Sequence, residues 1–339
     1  MTLTPVEIER LNNKARDIRV SIIEMLVEAK SGHTAGPLDM ADVFATLYFK
    51  ALRHNPENPE WAYRDRVILS NGHICPVLYA TMAHSGYFPM EELMTLRKLG
   101  SRLQGHPHRE FLPGIETSSG PLGCGLGQAI GMAIVDRNTN PINYVFKERT
   151  RAQLESEKNK TSDGNIINSS KNVEGLKMQD ATSLAAANLN FKNKTNLELP
   201  KLDRYFYVLM GDGEMNEGNI WESLMLLGKE KLHRVITFID RNTIQIDGLT
   251  ETVMPLESLS DKLKSFNLNI IEVDGHNVEE IYNAINQAKS TINMPTIIIA
   301  HTIPSKGVTE WEGDYHWHGK PPTKEEGDRA IIELRSPSP

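Results

Sequence analysis

The residues best suited to chemistry cluster between positions 205 and 248. An apolar run at 205–210 closes on Gly211, Asp212 and Gly213. Ile220, Leu224 and Leu227 then recur at three- and four-residue steps, the period of an amphipathic helix, and a second apolar run at 235–239 ends at Asp240, Arg241 and Asn242. Strand, helix and strand in that order form a βαβ unit. Such a unit brings both strand ends to one edge of a parallel sheet, the edge where open α/β sheets bind ligands. Asp212 and Asn242 would meet there as a carboxylate and an amide oxygen. Two hard oxygen donors beside small residues suit Mg²⁺, which completes its shell with phosphate and water. Gly211 and Gly213 let phosphates approach the backbone, and the helix behind them offers unpaired N–H groups to an anion. A lone Gly-Asp-Gly also serves ordinary strand-to-helix turns. The complete stretch, with Glu217-Gly218 and Ile246-Asp247-Gly248, is more specific.

Four other loops each present a histidine: SGHTAGPL holds His33, LSNGH His73, QGHP His106 and WHGKP His318. Singly, each is an ordinary loop residue. A zinc reading of His106-x-His108 or His316-x-His318 lacks cysteines and further ligand spacing. The glycine-rich stretch at 119–127 opens a helix reaching about 135. It does not read as a nicotinamide loop, because Gly123-x-Gly125 lacks the third glycine and no strand leads into it.

The elements that must position these residues are legible in outline. Thr4 and Glu7 form a capping box around Pro5, and Ile8, Leu11, Ala15, Ile18, Ile22 and Leu26 give the first helix an apolar face ended by Gly32. A second amphipathic helix is expected at 40–52, a strand at 66–70 and a helical run through Ala83. Past the central unit come a strand at 269–273, a helix at 278–290 and a strand at 296–300. The fold class is α/β, a mostly parallel sheet with helices on both faces. A net charge of −7 over 339 residues argues against a nucleic-acid partner. No run reaches eighteen apolar residues, and the N-terminus carries charge from Glu7 onward with no signal-peptide core, so no membrane association is expected and the default location is the cytoplasm. Cys75 and Cys124 cannot build a disulfide framework.

The Gly-Asp-Gly motif, followed by 28 residues and Asn242, resembles the thiamine-diphosphate motif. Together with SGHxxGPL, LSNGH, QGHP and WHGKP, in that order along the chain, it resembles the N-terminal, diphosphate-binding part of transketolase. The resemblance implies thiamine diphosphate and Mg²⁺ as cofactors, with Ca²⁺ or Mn²⁺ able to substitute. Asp212, Asn242 and the Ile244 carbonyl would hold the metal. Gly120, Pro121, Leu122, Gly123, Gly211, Asp212, Gly213, Glu214, Asn242 and His73 would contact the cofactor, although Cys124 stands where the family's loop usually has glutamine. His33 and His318 would handle the donor's C3 hydroxyl proton, and His73 and His106 its C1 hydroxyl and carbonyl end. Groups titrating near neutrality suit proton traffic in both directions. Glu217 and Glu222 would face a subunit interface. Lys320 and His301 fall where some members carry lysines near the substrate.

Residues 137–203 hold eleven asparagines and few apolar side chains, a composition that cannot offset ordering entropy. Against the family pattern, about 140–198 reads as an insertion in a single diphosphate-binding domain spanning 1–339. Full-length family members carry two further domains, one of them pyrimidine-binding. The expectation is therefore a split pentose-phosphate-pathway enzyme. It would be an α2β2 heterotetramer with a C-terminal transketolase subunit, active on sugar phosphates and silent as the isolated chain. Two other readings stay open: the alpha subunit of a 2-oxoacid dehydrogenase-type thiamine enzyme, and a non-catalytic partner-binding half.

Overall fold

A computed structural model describes residues 2–139 and 203–336, so the expected insertion at about 140–198 lies outside the described residues. The chain divides into two units, residues 1–133 with 204–339, and 134–203; the first contains every candidate site residue.

Five parallel strands form its sheet in the order β1-β2-β3-β7-β6. They are β1 (Arg66–Leu69), β2 (Phe206–Gly211), β3 (Val235–Arg241), β6 (Asn269–Asp274) and β7 (Thr296–His301). All five expected strands are present within a residue or two of their expected ends. A two-stranded antiparallel ribbon, β4 (Ile244–Gln245) with β5 (Gly248–Leu249), follows β3 and was not anticipated.

Every residue of β3 is buried, as are Phe206–Met210 of β2. Burial without alternation means that both sheet faces are covered, as parallel sheets require. One face presents Tyr207, Leu209, Ile236, Phe238, Ile298 and Ala300 to a core shared with the N-terminal helices. Phe206, Val208, Met210, Val235 and Ile239 fill the opposite face and are at most 2% exposed.

Helix α1 (Pro5–Ala29) carries the expected capping box, and Leu11, Ala15, Ile18, Ile22 and Leu26 are fully buried. Ile8 is only half-buried, against Leu3, Leu11 and Val278. The helix ends earlier than expected: Lys30, at φ 52, takes the left-handed cap assigned to Gly32. The expected helix at 40–52 is broken into α2 (Ala35–Asp39), α3 (Ala41–Thr46) and a π turn at Leu47–Ala51. Periodicity saw one apolar stripe because all three pieces face the core.

Among the described residues the remaining α-helices are α4 (Cys75–His84), α5 (Cys124–Thr139), α6 (Gly218–Glu230), α7 (Thr250–Val253), α8 (Leu259–Lys264), α9 (Val278–Ser290) and α10 (Lys324–Arg335). Ile220, Leu224 and Leu227 of α6 are buried as their spacing required. The terminal helix α10 was not foreseen. From β3 the chain runs to the sheet edge at β6 and returns to β7, so the strand order reverses beyond β3. Ligand crevices form where such an order switches, outside the carboxyl ends of the strands.

Candidate active site

The ends of β2 and β3 meet in register, Gly211 beside Asp240, and the Asp212 N–H donates to the Asp240 carbonyl at 3.0 Å. Asp212 is buried and its carboxylate is used unevenly. Oδ2 accepts from Arg241 at 2.7 Å, the Thr243 N–H at 2.9 Å and the Thr250 hydroxyl at 3.2 Å, whereas Oδ1 takes no hydrogen bond among the described residues. Burial raises the Asp212 pKa, against the opposing pull of Arg241. Arg241 also reaches Glu251 at 2.6 Å and Glu257 at 2.7 Å.

Asn242 shows a similar division. Its Nδ2 donates to Asp39 and Asp240, and its Oδ1 accepts from the Ile244 N–H at 3.2 Å. Between Asn242 and Ile244 the backbone turns through Thr243 at φ 65, a left-handed conformation costly for a β-branched residue. The turn lets Asn242 and Ile244 line the same cavity. Burial pushes Asp39 well above the usual carboxylate range and Asp240 up to about 8, reinforced by a neighbouring carboxylate in each case.

The glycine-rich loop is tied to this edge by Glu214, from the 3₁₀ turn Gly213–Asn216. Its carboxylate accepts from the Ser70 hydroxyl and from the N–H groups of Gly123 and Gly211, and Ser70 in turn accepts from the Gly125 N–H at 3.0 Å. Burial lifts the Glu214 pKa to about 7. Both Glu214 oxygens accept from the protein's own loops, which joins β1, β2 and the glycine-rich loop, and Glu214 also lines the cavity formed there. Gly123, at φ 81, lies where a Cβ would come within 2.0 Å of Asn219 Oδ1. Gly120 and Leu122 line the cavity, whereas Pro121 is exposed beside it and Gly123 is buried beneath.

The four histidines, far apart in sequence, line this one cavity of about 290 Å³ together with Asp212, Asn242 and Ile244. Ring centroids lie 4.9 Å apart for His33 and His73, 5.6 Å for His33 and His318, and 5.3 Å for His73 and His318. The Thr34 hydroxyl donates to the Lys320 carbonyl at 2.6 Å, pinning the His318 segment against the His33 loop. His33 Nδ1 and His318 Nδ1 are buried without a hydrogen-bond partner among the described residues. Burial holds all four imidazoles below their ordinary pKa: His33 falls to about 4, His73 well below normal, and His106 and His318 in the same direction. His318 adds to the effect at His33, and Arg97 at His33 and His106. The cluster is thus neutral near pH 7.

Other expected residues lie elsewhere. Lys320 sits 3.8 Å over the Trp317 ring and 2.8 Å from Glu326, and His301 pairs with Glu272 at 2.9 Å; neither lines the cavity. His108 stacks on Phe111 and His316 pairs with Asp314. Among the described residues no group of three or more His, Cys, Asp or Glu side chains could hold a metal. A site built from one carboxylate, one amide and one carbonyl is a different donor set. Glu217 precedes α6 as its N-cap instead of lying within it; it and Glu222 are exposed beside Met225 and Leu226, themselves 61% and 39% exposed. Sequence reasoning missed Asp39, Ser70, Arg241 and the structural use of Asp240. The available signal was an acidic residue inside an otherwise apolar run: Asp39 in GPLDMADV and Asp240 closing VITFID.

Residues 11–148 and 168–334 match the family "Transketolase, thiamine diphosphate binding domain", and the chain belongs to it. Among its relatives, the 6-deoxy-6-sulfo-D-fructose transketolase subunit of Clostridium sp. (strain MSTE9) is 32% identical over 96% of each chain. An apulose-4-phosphate transketolase subunit from Phocaeicola vulgatus is 31% identical over 97% of this chain and 95% of its own. Transketolase 1 of Escherichia coli (strain K12) is 32% identical, with 91% of this chain matching 39% of that protein. The solved transketolase from Leishmania mexicana superposes with a TM-score of 0.74 at 28% identity, over 98% of this chain and 42% of that one. This chain therefore corresponds to the N-terminal, thiamine-diphosphate-binding part of transketolases. It spans about two-fifths of the full-length enzymes and nearly all of the two subunits. Among the described residues no helix is long and apolar enough to cross a membrane.

Proposed function

We propose that the chain is the diphosphate-binding subunit of a two-chain transketolase that moves a two-carbon ketol unit from a ketose phosphate to an aldose phosphate. The observation that carries the chemical reading is the meeting of four neutral imidazoles with Asp212 and Asn242 in one cavity. The two-chain reading is supported by the match to two proteins named as subunits over 96% and 95% of their lengths.

Asp212 Oδ1, Asn242 Oδ1 and the Ile244 carbonyl fit a magnesium ion. Both side-chain oxygens keep free lone pairs, and Mg²⁺ favours a few oxygen ligands completed by phosphate and water; Ca²⁺ or Mn²⁺ offers a similar preference for oxygen. The backbone at Gly120, Leu122 and Gly211–Gly213 lines the cavity that would receive a diphosphate. Thiamine diphosphate supplies the electron sink for breaking the C2–C3 bond. The chain's own groups move the protons. His33 and His318, neutral with buried and unpartnered Nδ1 atoms, take and return the C3 hydroxyl proton, while His73 and His106 bond the C1 hydroxyl and carbonyl end. Depressed imidazoles remain in the accepting form at neutral pH.

Glu217, Glu222, Met225 and Leu226 form part of the face toward the partner, a C-terminal subunit carrying the pyrimidine-binding domain, in an α2β2 assembly in the cytoplasm. Residues of about 140–198 are an insertion in the single domain. Purified chain should show no ketol transfer alone. Adding the C-terminal chain should produce activity dependent on thiamine diphosphate and Mg²⁺, with sulfofructose and apulose 4-phosphate among the donors tried because two relatives are named for them. Full turnover by this chain in a preparation free of any partner would refute the two-chain reading.

A further inference from the structure

We propose that Asp39 is a positioning residue for the metal: with Asp240, it fixes which end of the Asn242 amide faces the cavity. The inference rests on the reading that Asn242 Oδ1 is a metal ligand.

An asparagine amide has two ends of nearly equal shape and opposite chemistry. Only its oxygen can ligate a cation; turned round, it would present two N–H groups to the ion. What receives the N–H groups therefore decides whether the ligand is competent. Asn242 Nδ2 donates to Asp39 Oδ2 at 2.9 Å and to Asp240 Oδ2 at 3.2 Å, which uses both protons on the side away from the cavity. Asp39 is fully buried and Asp240 is 1% exposed, so water does not compete for these bonds. Among the described residues Oδ1 accepts only from the Ile244 N–H, which leaves a second lone pair. A turned amide would set Nδ2 against the Ile244 N–H, and would set Oδ1 against the two carboxyl groups, losing both of those bonds wherever the acid is ionised.

Asp39 makes the shorter of the two inward bonds and is itself held from a third segment. Its Oδ1 accepts from the Ser305 N–H at 2.6 Å. Asp240 is held by the Thr302 hydroxyl. Residues 302–305, α2 and β3 thus converge on one amide. Asp39 ends α2, six residues after His33 in the chain. The short segment that presents a candidate catalytic histidine therefore also orients a metal ligand. Outer hydrogen-bond partners of metal ligands commonly change affinity by about 10–100-fold when removed.

The test uses the assembled two-chain enzyme. Asp39→Asn is nearly isosteric and still has an oxygen for the Ser305 N–H, but it turns an NH₂ group toward the Asn242 NH₂. Asp39→Ala leaves Asp240 as the only acceptor. Calorimetric titration with Mg²⁺ at saturating thiamine diphosphate should show affinity weakened by about 10–100-fold in both variants. Excess Mg²⁺ should restore cofactor uptake, a rescue that general structural damage would not permit. The melting temperature without Mg²⁺ is recorded alongside. Mg²⁺ affinity within twofold of the parent in both variants would overturn the role of Asp39, as would a loss that no Mg²⁺ concentration repairs. Asp212→Ala separates the two levels. If the parent takes up no Mg²⁺ with the cofactor, the site reading itself fails; if Asp212→Ala abolishes uptake and the Asp39 variants do not weaken it, only this inference fails.

Discussion

Adding one methyl group at Gly123 is the sharpest test of how the loop under the diphosphate site is built. Its φ of 81 is a conformation that costs an alanine about 1–2 kcal/mol. The new Cβ would also stand 2.0 Å from Asn219 Oδ1 and 2.7 Å from its Cγ. Asn219 can yield: it is half-buried, its amide reaches the Leu122 carbonyl only at 3.5 Å, and its Oδ1 has no partner. Its displacement should therefore cost about one weak hydrogen bond, roughly 0.5–1.5 kcal/mol. The combined loss is about 1.5–3.5 kcal/mol, or about 3–14 °C in melting temperature at 2–4 °C per kcal/mol for a unit of this size. Gly131, in the helix α5 that follows the loop, is a control, because a Cβ there meets nothing within 4 Å. Gly131→Ala should stabilise by about 0.5–1 kcal/mol through helix propensity. The double variant Gly123→Ala/Asn219→Ala should regain the Asn219 part of the loss and keep the backbone part, a coupling that a double-mutant cycle isolates. Thermal denaturation with and without Mg²⁺ and thiamine diphosphate reads the parent and these variants, with Asn219→Ala alone closing the cycle, and the cofactor-induced rise should shrink in Gly123→Ala. A single variant within about 0.5 kcal/mol of the parent, or a double variant no better than the single, would refute the reasoning, since surface changes away from such features usually stay inside that margin.

Three further outcomes are expected. Asp212→Ala in the assembled enzyme should abolish Mg²⁺-dependent uptake of thiamine diphosphate, and unchanged calorimetric affinity would show that the metal sits elsewhere. His33→Ala or His318→Ala should lower turnover by roughly 10²–10⁴-fold, the range for losing a general acid or base; steady-state rates at saturating cofactor decide it. The third concerns pH. His33 is held at about 4 against an ordinary 6.5, so between those values the unfolded chain binds a proton that the folded chain refuses, and stability falls as pH falls through that window. Buried carboxylates with raised values oppose this trend, so the comparison must be with His33→Phe: relative to that variant, the parent should lose at most about 3 kcal/mol between pH 7 and pH 4. A constant difference in urea midpoints across that range would mean that His33 is not desolvated.

The sheet was readable because its strands are buried on both faces, and continuous apolar runs closed by glycine or acid leave little else for residues 206–211 and 235–241 to form. The candidate ligands were readable for a related reason: Asp212 and Asn242 punctuate those runs. Helix breaks were not readable from period alone, since 40–52 keeps one apolar face through α2, α3 and a π turn.

The buried polar frame escaped for a deeper reason. Asp39 and Asn242 are 203 positions apart, Ser70 and Glu214 are 144 apart, and each pair has meaning only once the fold closes. An isolated buried carboxylate would cost several kcal/mol, so these acids must find donors or keep a proton. Asp212 shows what that requirement produces. Three donors on Oδ2 offset its burial while leaving Oδ1 without a partner, and Asn242 is likewise bonded on the side away from the cavity. The hydrogen bonds that make these groups tolerable inside the protein therefore also choose which of their atoms remain available for a cation.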